Sequence, residues 1–147
     1  MTDMRVPMTE WMRRGGAGHF TGPDNGAPMD GLHLTADLRG CAAERSEMID
    51  TAALRALCLA AVDRAGLRSV GELFHRFAAG GGITGVVLLA ESHLAVHTWP
   101  EIESVTLDVY VCNFGVDNSA RAEVLIGALL AGFAPRDVQR QTLHRGR

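Results

Sequence analysis

The chain of 147 residues contains no lysine: all 14 of its basic residues are arginine. That absence excludes a lysine Schiff base to pyridoxal phosphate or to a carbonyl substrate. It equally excludes the lysine of a phosphate-binding P-loop. Covalent chemistry on amines would need an electrophile from another source. Aromatic residues are scarce, at 5%, which leaves little for stacking on single-stranded bases. The net charge of −3 offers no basic face for a nucleic-acid backbone, so no nucleic-acid partner is expected. The longest apolar stretch, residues 83–90, is interrupted by Thr84 and Gly85 and is far too short to span a bilayer. The opening MTDMRVPMTEWMRRGG lacks the apolar run of a signal peptide. Three cysteines, Cys41, Cys58 and Cys112, are an odd number with no close pairing, which points to free thiols in a reducing cytoplasm.

What is there reads as one globular domain with a leader. Residues 1–30 hold glycine and proline with little periodicity, the composition of a flexible N-terminal arm. From residue 31 the signals alternate. Residues 32–38 alternate apolar and polar, as a strand does. Residues 46–65 carry an apolar stripe at helical spacing, with Ser46 as candidate cap and Gly66 as stop. Strands are predicted over 70–77, 83–91, 93–98 and 105–112, the first two separated by the turn Gly80-Gly81-Gly82. A second helix runs from a cap at Asp117 or Ser119 to about Gly132, and a last strand covers 138–144. Two helices with strands between them imply an α+β fold, a two-layer α/β sandwich whose antiparallel sheet carries its helices on one face. A domain of this length buries only about two-thirds of its unfolded surface and gains from dimerising.

The densest reactive cluster is Glu91-Ser92-His93-Leu94-Ala95-Val96-His97-Thr98-Trp99-Pro100-Glu101, directly after a buried strand. Three readings compete. The first is structural, with the histidines as satisfied polar residues. The second is a metal site of His93 and His97 with Glu91 or Glu101 and the Cys112 thiolate. On an extended strand the two histidines stand about 13 Å apart, so one ion would require the chain to turn. The third is self-processing. The Ser92 hydroxyl attacks the Glu91 carbonyl, the resulting ester eliminates across Cα–Cβ of Ser92, and hydrolysis of the dehydroalanine leaves a pyruvoyl group. A ketone conjugated to an amide forms a Schiff base with a substrate amine and serves as an electron sink for decarboxylation. That chemistry suits a chain without lysine.

The segment GITGVVLLAESHLAVHTWPE (82–101), followed by LDVYVC (107–112), resembles the prokaryotic S-adenosylmethionine decarboxylase proenzymes. The likeness extends to HLTADLRGC (33–41) and to Phe74-His75-Arg76-Phe77. It implies cleavage between Glu91 and Ser92 within a decarboxylase-like domain over 31–147, with Ser92 becoming the pyruvoyl cofactor. It implies processing roles for His97 and for Thr84, which stands where a serine is usual. It implies Cys112 as the acid that reprotonates the substrate carbon, Glu101 as the carboxylate for the ribose hydroxyls, and Phe77 as a contact to the adenine or the sulfonium. The resemblance implies no metal, and a homodimer of two-chain protomers with sites at or near its interface.

The chain departs from that pattern in places. Ala78-Ala79-Gly80-Gly81-Gly82-Ile83 is longer and more glycine-rich than the usual turn. Arg39 replaces a tyrosine, Asp37 a glutamate, and Asn113-Phe114 follows Cys112. These changes touch substrate contacts and spare the processing groups. The expected activity is decarboxylation of S-adenosylmethionine to the aminopropyl donor for spermidine. The alternatives are the same chemistry on ornithine or arginine, where Glu101 would bind the distal ammonium or guanidinium and Arg39 a carboxylate, and an unprocessed homologue with a binding or regulatory role.

Overall fold

The computed structural model describes residues 30–146. Apart from Asp30, the N-terminal arm expected over 1–30 lies outside the described residues. The elements are β1 (Gly31–Arg39), α1 (Ser46–Ile49), α2 (Thr51–Arg64), β2 (Ser69–Arg76), β3 (Ile83–Leu89) and β4 (Ser92–Trp99). A 3-10 turn (Pro100–Ile102), β5 (Ser104–Cys112), α3 (Ser119–Phe133) and β6 (Asp137–Arg145) complete the chain. The six strands form one antiparallel sheet in the order β2-β3-β4-β5-β1-β6. The expected two-layer α+β sandwich is the one that forms.

Period-two alternation sets the two faces of the sheet. Leu34 and Leu38 of β1, Val87 of β3, Leu94 of β4 and Val105 and Val109 of β5 are buried with Leu54 of α2 and Leu125, Leu129 and Phe133 of α3. Close approach explains two glycines. A Cβ on Gly132 would lie 2.4 Å from the Leu57 side chain, so glycine lets α3 settle against α2. A Cβ on Gly82 would meet the Thr98 carbonyl oxygen at 1.7 Å. Beside it the fully buried Thr98 hydroxyl accepts from the Ile83 amide at 2.8 Å and donates to the Met48 carbonyl at 2.9 Å, so no polar group is left unpaired there.

The helix predicted over 46–65 is two helices. Asp50 leaves helical geometry (φ −116°, ψ 118°), and its carboxylate accepts from the Ala52 amide at 3.0 Å. Asp50, not Ser46, therefore caps the long helix. Ser46 is the first residue of α1, behind Arg45, which makes no capping side-chain bond. An aspartate that bonds the backbone two residues ahead competes with helix continuation, and the apolar stripe runs across it unbroken. At α3 the N-cap residue is Asn118, which makes no capping side-chain bond, rather than Asp117 or Ser119; the Asp117 carboxylate accepts from the Ser119 amide at 2.9 Å. Hydrogen bonds from the Ser119 hydroxyl and amide hold the Asp117 carboxyl below its usual range.

All the helices pack on one face. The opposite face carries the other residue of every alternating pair. It presents His33, Thr35 and Asp37 of β1, Thr84 and Leu88 of β3, His93, His97 and Trp99 of β4, and Thr106, Asp108 and Tyr110 of β5. No described element covers it.

Candidate active site

Two groups of functional side chains occupy opposite ends of this uncovered face. The first surrounds the tight turn from β3 into β4. Antiparallel pairing sets Ser92 opposite Val111 of β5 and brings the Cys112 amide onto the Glu91 carbonyl, an N–H···O bond of 2.8 Å. The carbonyl that precedes the Ser92 hydroxyl is thus already polarised by a fixed donor. The Glu91 carboxylate points the other way and accepts from the Arg68 amide at 3.2 Å. Cys112 is held from behind: its carbonyl accepts from Asn118 Nδ2 at 2.8 Å, and Asn118 is a buried polar residue whose amide nitrogen donates to Asn113 Oδ1 at 2.9 Å. The Cys112 sulfur is half-buried and accepts from the Phe114 amide at 3.4 Å. Cys41 and Cys58 are fully buried. Burial pushes the Cys58 thiol up to about 12, and burial likewise raises Cys41. Those two thiols pack, while Cys112 alone has access to a reactant.

Beside Ser92 lies a chain of hydrogen bonds. Ser92 Oγ is 3.3 Å from His93 Nδ1, and His93 Nε2 is 3.3 Å from Asp108 Oδ1. The same Asp108 oxygen lies 2.8 Å from His33 Nε2. Tyr110 lies against both imidazoles, at 5.7 Å from His33 and 5.9 Å from His93 between ring centroids, and the two imidazoles meet edge-on at 6.5 Å. The Arg145 guanidinium lies over the Tyr110 ring, 5.1 Å from its centroid.

The second group lies at the far end of β4. Thr84 pairs directly with His97 across β3 and β4. The His97 ring stacks on Trp99 at 3.9 Å and tilts against Phe77 at 5.7 Å, and Phe77 meets His75 edge-on at 4.9 Å. Glu101 is exposed on the 3-10 turn just beyond, and Arg39 is exposed at the matching end of β1, where it pairs with Ser104. From Ser92 to His97 is five residues of extended strand, about 16 Å. An open groove of about 410 Å³, lined by Thr35, Asp37, Thr84, His97, Thr106 and Asp108 among others, runs from the His97 end as far as Asp108.

A family model described as S-adenosylmethionine decarboxylase matches residues 32–146. The chain belongs to this family. It is 35% identical over 116 residues to the S-adenosylmethionine decarboxylase proenzyme of Aquifex aeolicus (strain VF5), a match covering 79% of this chain and 81% of that one. It is 34% identical over 117 residues to the proenzyme of Archaeoglobus fulgidus, covering 79% and 97%. The crystal structure of the adenosylmethionine decarboxylase from Aquifex aeolicus VF5 superimposes with a TM-score of 0.73 at 34% identity, over 82% of this chain and 94% of that one.

Within this member of the decarboxylase family, the candidates named from sequence divide. Glu91, Ser92 and Cys112 come together. Thr84, His97, Phe77, Glu101 and Arg39 sit at the opposite end. Three contributors to the Ser92 end escape motif reasoning: the Cys112 backbone amide, Asp108 and His33. Asp108 and His33 read as ordinary outward positions of alternating strands. Their signal is available only through pairing, since β1 lies beside β5 and β5 beside β4.

Proposed function

We propose that this chain is the self-cleaving proenzyme of a pyruvoyl-dependent decarboxylase that acts on S-adenosylmethionine and yields the aminopropyl donor for spermidine synthesis. It breaks its own peptide bond between Glu91 and Ser92. The observation that carries the reading is the Glu91 carbonyl, held by the Cys112 amide at 2.8 Å immediately before a serine whose hydroxyl has a histidine partner at 3.3 Å. Attack by Ser92 Oγ puts negative charge on that carbonyl oxygen, where the donor already stands. The residues at the turn therefore fit a pyruvoyl group made from Ser92. Such a group supplies a ketone conjugated to an amide, which condenses with the substrate amine and takes up the electron pair freed as carbon dioxide leaves.

The chain's own residues do the rest. Cys112 delivers a proton to the substrate carbon. Thr84 and His97 assist ester formation and elimination. Glu101 accepts hydrogen bonds from the ribose hydroxyls, Phe77 packs on the nucleoside or near the sulfonium, and Arg39 faces a carboxylate. Glu101 favours a nucleoside substrate over ornithine or arginine, which carry no ribose. Three free cysteines suit a reducing cytoplasm, and no helix among the described residues is long and apolar enough to cross a membrane.

These roles require a second copy. Within one chain about 16 Å of strand separates His97 from Ser92, so one protomer does not complete the site. The uncovered face also exposes large apolar side chains, including Leu73 (71%), Leu88 (49%) and Leu143 (57%), as a docking face does. A two-fold axis lying between two such faces and running across the strands sets the Ser92 end of one copy over the His97 end of the other. The proposal is therefore a homodimer of two-chain protomers whose sites draw on both copies.

Intact mass spectrometry of the purified protein tests the cleavage: fragments 1–91 and 92–147 are expected, the second blocked by a pyruvoyl group. Carbon dioxide release from S-adenosylmethionine, ornithine and arginine tests the substrate. A single uncut chain overturns the processing, and release from ornithine or arginine in place of S-adenosylmethionine overturns the substrate.

A further inference from the structure

We infer that His93 is the base that takes the Ser92 proton during self-cleavage, and that Asp108, itself anchored by His33, is the positioning residue that fixes the tautomer of His93. This inference rests on the proposed cleavage between Glu91 and Ser92 and assigns its first step to named atoms.

A carboxylate only accepts hydrogen bonds, so at Asp108 Oδ1 both His93 Nε2 and His33 Nε2 donate, at 3.3 and 2.8 Å. A neutral His93 that carries its proton on Nε2 has a lone pair on Nδ1. That atom lies 3.3 Å from Ser92 Oγ and so accepts the hydroxyl proton. Serine, imidazole and carboxylate thus stand in the order that activates a weak nucleophile. Tyr110, in contact with both imidazoles, limits their rotation. His97 does not fill this place within the same chain, because the strand carries it about 16 Å away.

The step balances within the chain. The Ser92 O–H bond breaks and its proton passes to His93 Nδ1 as Oγ bonds to the Glu91 carbonyl carbon. The carbonyl oxygen takes the negative charge, facing the Cys112 amide. The bond from that carbon to the Ser92 nitrogen then breaks, and the nitrogen takes the proton back from His93. An amide has become an ester and a free amine, with no outside reactant. His93 transfers the proton in ester formation from within the chain, and His97 assists ester formation and elimination from across the dimer.

The test follows cleavage of freshly synthesised full-length chain over time, by intact mass, for the wild type and for Ser92→Ala, His93→Ala, His93→Gln, Asp108→Asn and Asp108→Glu, with folding checked by circular dichroism. Loss of a general base slows such steps by about 100-fold or more. His93→Ala and His93→Gln are expected to cleave about 100-fold slower than wild type, and added imidazole should speed His93→Ala but not Ser92→Ala. Asp108→Asn should slow cleavage by about tenfold, with Asp108→Glu restoring part of the rate. His93→Gln fills nearly the same space and bonds similarly but takes up no proton, so it decides the matter if the alanine variant fails to fold. Cleavage of folded His93→Gln within twofold of wild type would overturn the relay while leaving self-processing intact. An uncut wild-type chain would overturn both.

Discussion

The two ends of the uncovered sheet face differ in how they are built. At the Ser92 end, backbone and side chains interlock: the Cys112 amide holds the Glu91 carbonyl, Asn118 holds the Cys112 carbonyl, and Asp108 gathers His33 and His93. At the His97 end the contacts are mainly ring against ring, with Trp99, His97, Phe77 and His75 in a row and Glu101 exposed beyond them. A hydrogen-bonded end fixes atoms to within tenths of an ångström, as bond-breaking requires. An aromatic end offers flat, adaptable surface, which suits holding a substrate or a second copy. In the proposed function the two ends divide the labour accordingly: chemistry at one, recognition and help to the partner at the other.

That contrast can be broken experimentally. The largest expected effect comes from Ser92→Ala, which should abolish cleavage and decarboxylation together while a folded dimer persists on size-exclusion chromatography. Cleavage of this variant at position 91 would remove the Ser92 end from the chemistry altogether. Next comes complementation between ends. His97→Ala alone should stay largely uncut. Co-expressed with Ser92→Ala, it should recover cleavage of the His97→Ala chain, because that chain's Ser92 then meets an intact His97 from its partner. No recovery in verified mixed dimers would mean that each chain builds its own site. Third, Cys112→Ala should still cleave but decarboxylate about 100-fold more slowly, measured as carbon dioxide release, with misprotonated product detectable by mass. A fully active variant would remove its role as acid.

A smaller change is expected at the other end. Glu101→Gln should raise KM for S-adenosylmethionine by about tenfold, the size of a lost charge-assisted hydrogen bond, with cleavage unaffected. Slowed cleavage instead would blur the division between the ends. The smallest expected effect is chemical. A thiol reagent near neutral pH should label Cys112 and spare Cys41 and Cys58, read by peptide mapping of the folded protein. Burial pushes the Cys58 thiol from its ordinary value of 9.0 up to about 12. Its contribution to stability is therefore complete below pH 9 and is lost as the pH rises towards 12.

Much of the fold is legible in the residues. Leu32, Leu34, Ala36 and Leu38 alternate with His33, Thr35 and Asp37, and Val105 to Cys112 alternates as cleanly, so strands and their buried faces follow from period alone. The break at Asp50 is not legible that way, because the apolar stripe continues through it and one side-chain bond to the Ala52 amide decides the matter. The site divides similarly. Glu91, Ser92, His97 and Glu101 stand out in a short, chemically dense run, and Cys112 ends the strand segment LDVYVC that follows it. Yet His97 and Glu101 lie far from Ser92 for the same reason that they lie near it in sequence: an extended strand advances about 3.3 Å per residue.

By itself, then, the sequence determined the chemistry on offer and the pattern that folds it. Without lysine the electrophile cannot be pyridoxal phosphate held by an internal lysine, and Glu91-Ser92 on a strand-forming run supplies a candidate carbonyl. Only the tertiary structure decided which groups meet. His33 and Asp108 are 75 residues apart along the chain and 2.8 Å apart in space, because β1 pairs with β5 while β5 also pairs with β4. Local periodicity specifies the strands and their faces. The order in which strands pair is settled by packing the whole sheet against its helices, and that order made a relay of three ordinary outward-facing residues.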